Sequence, residues 1–142
     1  MPATRLDVIE RSTEKTRLWL SDLAEELDTE DAHHAYRVLR AFLHAIRSRL
    51  SVDEVAQLSA QLPIFIRGLF FEGWDPGRRP DHPRDLDSFL SDIATEALLS
   101  GETEASLAAS AAYRVLTRHV SLGESSSLLH VLPDHLRRLL AA

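Results

Sequence analysis

The feature that most constrains the fold of this 142-residue chain is an internal repeat. When the sequence is shifted against itself by 70 positions, residues 19–72 match residues 89–142 without a gap. The clearest stretch pairs WLSDLA, which begins at Trp19, with FLSDIA, which begins at Phe89. A match in this order over such a length predicts two copies of one structural unit that share a core.

One local stretch fits a different register. Ala-Tyr-Arg-Val-Leu begins at Ala35 and recurs unchanged at Ala112, which is an offset of 77. The difference between the two offsets equals about two helical turns, so either register turns the same helix face inward. We prefer the offset of 70, which needs no gap, and leave the register around Tyr36 and Tyr113 open.

Apolar residues within the first copy recur at the spacing of a helix and not of a strand. The clearest stripe, at steps of three and four residues, consists of Val38, Leu39, Phe42, Leu43, Ile46 and Leu50. It predicts a helix over about residues 30–49, with Thr29 as the expected N-cap. Ser51 and Glu54 have the spacing of a capping box, so the next helix is expected to begin there.

Proline and glycine mark the boundaries of the predicted helices and units. Leu62-Pro63 and its counterpart Leu132-Pro133 each predict a break that is followed by a short helix, which gives about four short helices per copy. The sequence accordingly predicts an all-α fold, a helical bundle built from two tandem repeats that together form one compact domain.

The repeat also divides the chain into four segments. We expect a helical extension over residues 1–18, the first repeat over 19–72, a Pro-, Gly- and Arg-rich linker over 73–85 and the second repeat over 86–142. A linker of this length can cross a small domain, so it is compatible with a pseudo-two-fold arrangement of the repeats.

Composition excludes several classes of function. The chain has no cysteine, which removes disulfides, thiolate metal sites and cysteine nucleophiles. Its net charge of −6 argues against a general affinity for nucleic acid, which needs a cationic surface. No segment approaches the roughly 18 apolar residues of a membrane span, and the N-terminus lacks the apolar core of a signal peptide. We therefore expect a cytoplasmic protein with no membrane span.

Three short patterns and a second Leu-Pro pair give the sequence a family resemblance. The patterns are Arg49-Leu50-Ser51-x-x-Glu54, Leu58-x-x-Gln61-Leu62-Pro63 and Gly73-Trp74-x-Pro76, followed by an echo that ends in Leu132-Pro133. With them the chain resembles, over nearly its whole length, the bacterial family catalogued as domain of unknown function 2267. The resemblance implies a small all-helical bacterial protein and brings no activity, cofactor or catalytic residue. Val131 stands where the first copy has Gln61, so a role of that glutamine would not carry across to the second copy.

No residue pattern in the sequence indicates catalysis or a bound metal. The histidines include no i, i+4 pair and no His-Glu-x-x-His motif, and the glycines form no phosphate-binding loop. Asp22 and Glu26, repeated as Asp92 and Glu96, could in principle face each other as a di-metal site. They lie opposite the apolar side of their helix, so we interpret them as a solvated face. We expect no cofactor and no enzymatic activity.

An aromatic group at the end of the first copy is the strongest candidate for an interaction surface. It consists of Phe65, Phe70, Phe71 and Trp74, whereas the matching end of the second copy carries a leucine and two alanines. Large aromatic side chains often anchor protein interfaces. The alternative is that they close the core beneath the linker.

A second candidate is a group of arginines that could bind an anion, namely Arg67, Arg78, Arg79 and Arg137. Pairing with carboxylates of the same chain is the alternative. From these features we expect a non-catalytic helical protein-interaction module that binds an unknown partner protein or a second copy of itself. The other hypothesis is a sensor that binds a small anionic ligand or metabolite between the two repeats.

Overall fold

The computed structural model describes residues 6–77 and 85–120, and this part of the chain is all-helical. It contains no strand, and the predicted all-α class is confirmed. Its six helices are α1 (Asp7–Glu26), α2 (Ala32–Arg47), α3 (Val52–Ser59), α4 (Ile64–Phe71), α5 (Leu86–Ala97) and α6 (Glu102–His119). None of these described helices combines the length and the apolar content that a membrane crossing requires.

Helix α1 is a single continuous helix that joins the predicted extension to the first predicted repeat. Its first turn carries Asp7 and Glu10, whose negative charges suit the positive end of the helix dipole. Only Trp19 and Leu23 of this helix are fully buried, and both lie in its C-terminal half. The N-terminal half of α1 therefore lies at the protein surface.

Helix α2 is the central helix of the core. All five members of the predicted apolar stripe that fall within it are buried, as is Leu50 just beyond its end. The expected cap was wrong by two residues, because Asp31 and not Thr29 accepts hydrogen bonds from the backbone of His33 and His34. The Thr29 hydroxyl instead accepts the backbone N–H of Asp31 at 3.1 Å and so stabilises the turn before the cap.

The two local signals that separate α2, α3 and α4 are confirmed. The Ser51 hydroxyl accepts the backbone N–H of Glu54 at 3.2 Å, and the Glu54 carboxylate accepts the backbone N–H of Ser51 at 2.8 Å. Pro63 stands between α3 and α4 as the N-cap of α4, where a missing N–H costs nothing. These signals are local in the chain, which is why the sequence could predict them.

The core lies among α1, α2, α5 and α6, with α4 packed against α1 and α2. Phe42 of α2 meets Phe89 of α5 edge to face, with 6.4 Å between the ring centroids. Helix α6 contributes mainly small buried residues, which are Ala105, Ala108, Ala109, Ala111 and Ala112. Small side chains let neighbouring helices approach α6 closely.

Helix positions in the described residues agree with the offset of 70. Helix α2 begins at residue 32 and α6 at residue 102. Asp28 and Leu98, the two non-glycine residues with positive φ in the part of the chain that the structure describes, are also 70 apart. The later helices of the second predicted repeat would fall on residues 121–142, which lie outside the described residues. The tandem repeat therefore stays a prediction.

Candidate functional site

The structure places one of the four predicted aromatic residues in the core and the other three at two separate places, the first turn of α4 and the region around its end. Phe70 is 0% exposed and belongs to the core, so its assignment to an interaction surface was wrong. Phe71 and Trp74 are half-buried, pack against the core and lie 5.3 Å apart between ring centroids. Phe65 is 54% exposed at the first turn of α4.

The helical periodicity of α4 explains this division. Phe65 and Phe71 are six residues apart, which at about 100° per residue turns their side chains roughly 120° away from each other. The backbone N–H of Phe65 donates to the Ser12 hydroxyl of α1 at 3.3 Å, whereas Phe71 ends the helix beside Trp74. The four aromatic residues therefore do not line one groove, and partner binding by Phe71 and Trp74 stays a prediction.

Of the four predicted anion-binding arginines, only Arg67 lies within the described residues. Its Nε donates to the backbone oxygen of Ser59 at 2.9 Å, and its Nη2 donates to that of Leu62 at 3.0 Å. These bonds hold the end of α3 against α4. Arg78, Arg79 and Arg137 lie outside the described residues.

A cleft of about 600 Å³ lies between the N-terminal half of α1 and the corner where α3 turns into α4. We call it the α1–α4 cleft. Its apolar walls come from Val8, Leu18, Trp19, Leu62, Pro63 and Ile64. Val8, Leu18 and Ile64 are about half-exposed. Exposed apolar side chains grouped in this way usually mark a binding surface.

The polar lining of the α1–α4 cleft is basic. Arg11 and Lys15 come from α1, Arg67 from α4 and His119 from the end of α6, and none of the described lining residues is acidic. The chain as a whole carries a net charge of −6, so this cleft departs from the average charge of the protein. A cleft with apolar walls and convergent cations suits an amphipathic anion.

The walls of the cleft are held by backbone contacts and not only by side-chain packing. The hydrogen bond from the Phe65 N–H to Ser12 joins α4 to α1, and the two Arg67 bonds fix the α3–α4 corner. His119 is also fixed, because its ring stacks on Trp19 at 5.0 Å between centroids. The α1–α4 cleft is therefore preformed.

The acidic pair on α1 is not a solvated face, and that interpretation was wrong. His119 Nε2 lies 2.7 Å from Asp22 Oδ2, and Arg114 Nε donates to Glu26 at 3.0 Å. Arg118 donates to the same Glu26 carboxylate, and these arginine bonds hold the pKa of Glu26 below its ordinary value of 4.5. Asp22 and Glu26 follow the buried Trp19 at steps of three and four residues, so they share its side of α1, and that side faces α6.

The acidic pair on α5 is also paired, and its contacts parallel those of α1. Arg49 is fully buried, donates to Asp92 at 3.0 Å and lies over the Phe89 ring with its guanidinium carbon 5.3 Å from the centroid. His44 Nδ1 lies 3.0 Å from Glu96, and His44 Nε2 lies 2.8 Å from the backbone oxygen of Leu69. Among the described residues, no three histidine, aspartate or glutamate side chains are placed to hold a metal ion.

A comparison with known protein families identifies the family of the chain. The family described as "Uncharacterized conserved protein (DUF2267)" matches residues 16–139. The chain belongs to this family. No curated protein matches the sequence.

The family match divides the residues that line the cleft. It begins at residue 16, so Val8, Arg11 and Lys15 precede it, whereas Arg67 and His119 fall within it. Sequence reasoning missed the part of the DUF2267 protein's cleft that α1 contributes. A signal was present, because Val8, Arg11, Lys15 and Leu18 follow one another at steps of three and four residues and so share one face of α1.

Proposed function

We propose that this DUF2267 protein is a non-catalytic interaction module whose α1–α4 cleft binds an acidic amphipathic helix of a partner protein. The observation that carries the proposal is the coincidence of half-exposed apolar walls and convergent cations in one preformed cleft. Neither feature alone would indicate this kind of partner.

Helix-in-groove recognition accounts for both features. The apolar face of an amphipathic helix would cover Val8, Leu18 and Ile64, which now contact water. Removal of apolar surface from water contributes about 25 cal/mol per Å² before the costs of association. Carboxylates that flank this face would meet Arg11 and Lys15, which would fix the register of the helix and speed its association.

A small anionic ligand is the second candidate. The volume of the cleft lies within the range of about 300–1,000 Å³ that is common for small-molecule sites. Arg67 is held in place by two bonds to backbone oxygens, so it could present its guanidinium to an anion in a fixed geometry, whereas the Nε2 atom of His119 is already engaged by Asp22. His119 belongs to the second predicted repeat, so such a ligand would contact both repeats.

We also propose that the two halves of the chain are tandem repeats related by a pseudo-two-fold axis. The support lies in contacts that occur twice at the offset of 70. Asp22 meets His119 as Asp92 meets Arg49, and Trp19 covers His119 as Phe89 covers the Arg49 guanidinium. The predicted bacterial origin and cytoplasmic location follow from the family resemblance and the composition, and they stay predictions.

The proposed function is tested by peptide binding to single-residue variants. The probe is a synthetic helical peptide with a leucine face flanked by glutamates, and its binding is followed by fluorescence anisotropy. Lys15→Glu places a negative charge at the cleft and is expected to weaken binding by about tenfold or more. Arg17→Glu makes the same charge change on α1 at an exposed residue that does not line the cleft, and it should bind as the unaltered protein does.

Two further comparisons decide between the candidates. A peptide in which lysines replace the glutamates should not bind, and added salt should weaken binding of the acidic peptide. Equal losses in Lys15→Glu and Arg17→Glu, or no binding of the acidic peptide, would contradict the proposal. In the second case, a rise in melting temperature with nucleotides or other small anions that Lys15→Glu abolishes would establish the small-ligand candidate.

A further inference from the structure

The corner between α5 and α6 exposes two leucines that packing does not explain. Leu98 is 78% exposed and Leu107 is 67% exposed. Leu98 also has φ 60 and ψ 47, a left-handed conformation that a leucine rarely adopts. The residue 70 positions earlier, Asp28, has φ 53, but aspartate tolerates this conformation better. A strained and exposed leucine at such a position suggests a role outside the folded chain.

The same corner is acidic. Glu102 and Glu104 lie in the first turn of α6. The Glu104 carboxylate accepts hydrogen bonds from the Ser100 hydroxyl at 2.6 Å and from its backbone N–H at 3.0 Å. These bonds lower the pKa of Glu104, which keeps its side chain ionised. We refer to Leu98, Leu107, Glu102 and Glu104 as the acidic corner.

The acidic corner and the α1–α4 cleft have complementary chemistry. The corner offers exposed leucines beside carboxylates, and the cleft offers apolar walls beside Arg11 and Lys15. Complementary charge of this kind favours docking in one orientation and rejects like-charged surfaces.

The two surfaces lie at opposite ends of α6. The acidic corner contains the first turn of this helix, whereas the cleft includes His119, its last residue. At about 1.5 Å per residue, the 18 residues of α6 span about 27 Å. Because α6 is a single helix, the corner of one molecule cannot enter the cleft of that same molecule.

We propose that the acidic corner of one copy docks into the α1–α4 cleft of a second copy, so that the chain associates with itself head to tail. This inference rests on the proposed function and names a second copy of this chain as the partner. Each contact uses two different surfaces, so a dimer keeps one free corner and one free cleft. Further copies therefore add until the rotation between neighbours closes a ring.

Sedimentation velocity of the full chain at micromolar to millimolar concentrations tests the inference. The average mass of the unaltered protein is expected to rise with concentration beyond that of a dimer. Lys15→Glu disables the cleft, and Leu98→Gly removes the apolar tip of the corner without strain at its positive φ. For each variant alone, the affinity of self-association should fall by about tenfold or more. Val52→Ala, at an exposed apolar residue of α3 outside both surfaces, is the matched control and should associate as the unaltered protein does.

An equimolar mixture of the two variants gives the decisive result. Lys15→Glu keeps an intact corner and Leu98→Gly keeps an intact cleft, so the mixture should form one-to-one heterodimers that do not grow further. An unaltered protein that stays monomeric over the whole range would overturn the inference. So would a mixture that behaves as the sum of its two components.

The failure of this inference is distinguishable from that of the proposed function. A monomeric protein whose cleft still binds the acidic peptide in a Lys15-dependent manner refutes self-association and leaves the proposed function intact. Association that depends on Lys15 and Leu98, without any binding of the peptide, supports self-association and refutes a separate helical partner. If both are correct, the acidic peptide should compete with the second copy and dissociate the oligomers.

Discussion

His119 at the end of α6 places its Nε2 atom 2.7 Å from the Oδ2 atom of Asp22 in α1. The equivalent positions at an offset of 70 are Arg49 and Asp92, whose side chains are 3.0 Å apart. The acidic pair of each half thus meets basic side chains at or just beyond the C-terminal end of the second helix of the other half, since α1 contacts α6 and α5 contacts α2. These crossed contacts hold the two halves together on two sides of the core.

The crossed contacts predict that His119→Arg is tolerated. An arginine at this position would keep the pair with Asp22 and would lie over Trp19 as Arg49 lies over Phe89. Its free energy of unfolding in urea should stay within about 0.5 kcal/mol of the unaltered protein. His119→Leu removes both contacts and should cost about 1 kcal/mol or more. Equal destabilisation by the two substitutions would show that an arginine at residue 119 does not reproduce the contacts that Arg49 makes in the other half.

Glu26 should contribute stability that depends on pH. Its pKa is lowered in the folded protein by bonds from Arg118 and Arg114. Its contribution is therefore fully present above its ordinary value of 4.5 and is lost as the pH falls through the folded pKa. At neutral pH, Glu26→Gln should be less stable by about 0.5–1 kcal/mol, because the pair is only partly buried.

The matched control for this titration is Glu25→Gln, at the exposed neighbour of Glu26. Urea unfolding at a series of pH values is the measurement. The difference between Glu26→Gln and the unaltered protein should shrink as the solution is acidified through pH 4.5. Glu25→Gln should have little effect on stability, because the Glu25 side chain is exposed. A difference for Glu26→Gln that grows on acidification would contradict the assignment.

Arg49 should be the most sensitive charged residue of the core. Its side chain is fully buried and donates to Asp92, to the Ser88 hydroxyl at 3.3 Å and to the Ala45 backbone oxygen at 2.9 Å. Arg49→Ala would leave these acceptors without their donor and open a cavity beside Phe89. We expect a loss of about 3 kcal/mol in urea unfolding, against less than about 0.5 kcal/mol for Arg17→Ala on the surface. A loss below about 1 kcal/mol would mean that water replaces the guanidinium.

Signals within a few residues of one another predicted much of the fold. The stripe of α2, the Ser51–Glu54 capping box and the break at Pro63 depend on chain-local geometry, and the structure confirms all three. Both Thr29 and Asp31 belong to residue types that cap helices, and Asp31 is the N-cap of α2 in the structure. Which of them caps the helix depends on the turn before α2, where the Thr29 hydroxyl bonds to the backbone of Asp31.

The candidate site was less accessible to sequence reasoning, because it depends on how distant segments pack. Asp22 was assigned to solvent on the helical wheel of α1 alone, but a second helix covers that side. Phe70 was assigned to a surface on its type, but α4 turns it into the core. The cleft forms because α1 continues as one helix past residue 18 and lies beside the α3–α4 corner, and no local pattern encodes that contact.

Leu98 provides a prediction that separates folding from binding. Glycine adopts positive φ without strain, so Leu98→Gly should raise the free energy of unfolding by about 1 kcal/mol in urea at dilute concentration. Asp28→Gly is the matched comparison and should gain less, because aspartate already tolerates this conformation. A substitution that stabilises the fold yet weakens association would mean that the leucine is retained for contact with another copy. If Leu98→Gly instead destabilises the monomer, the side chain contributes to the fold itself, and its exposure is no longer a reason to place it in an interface.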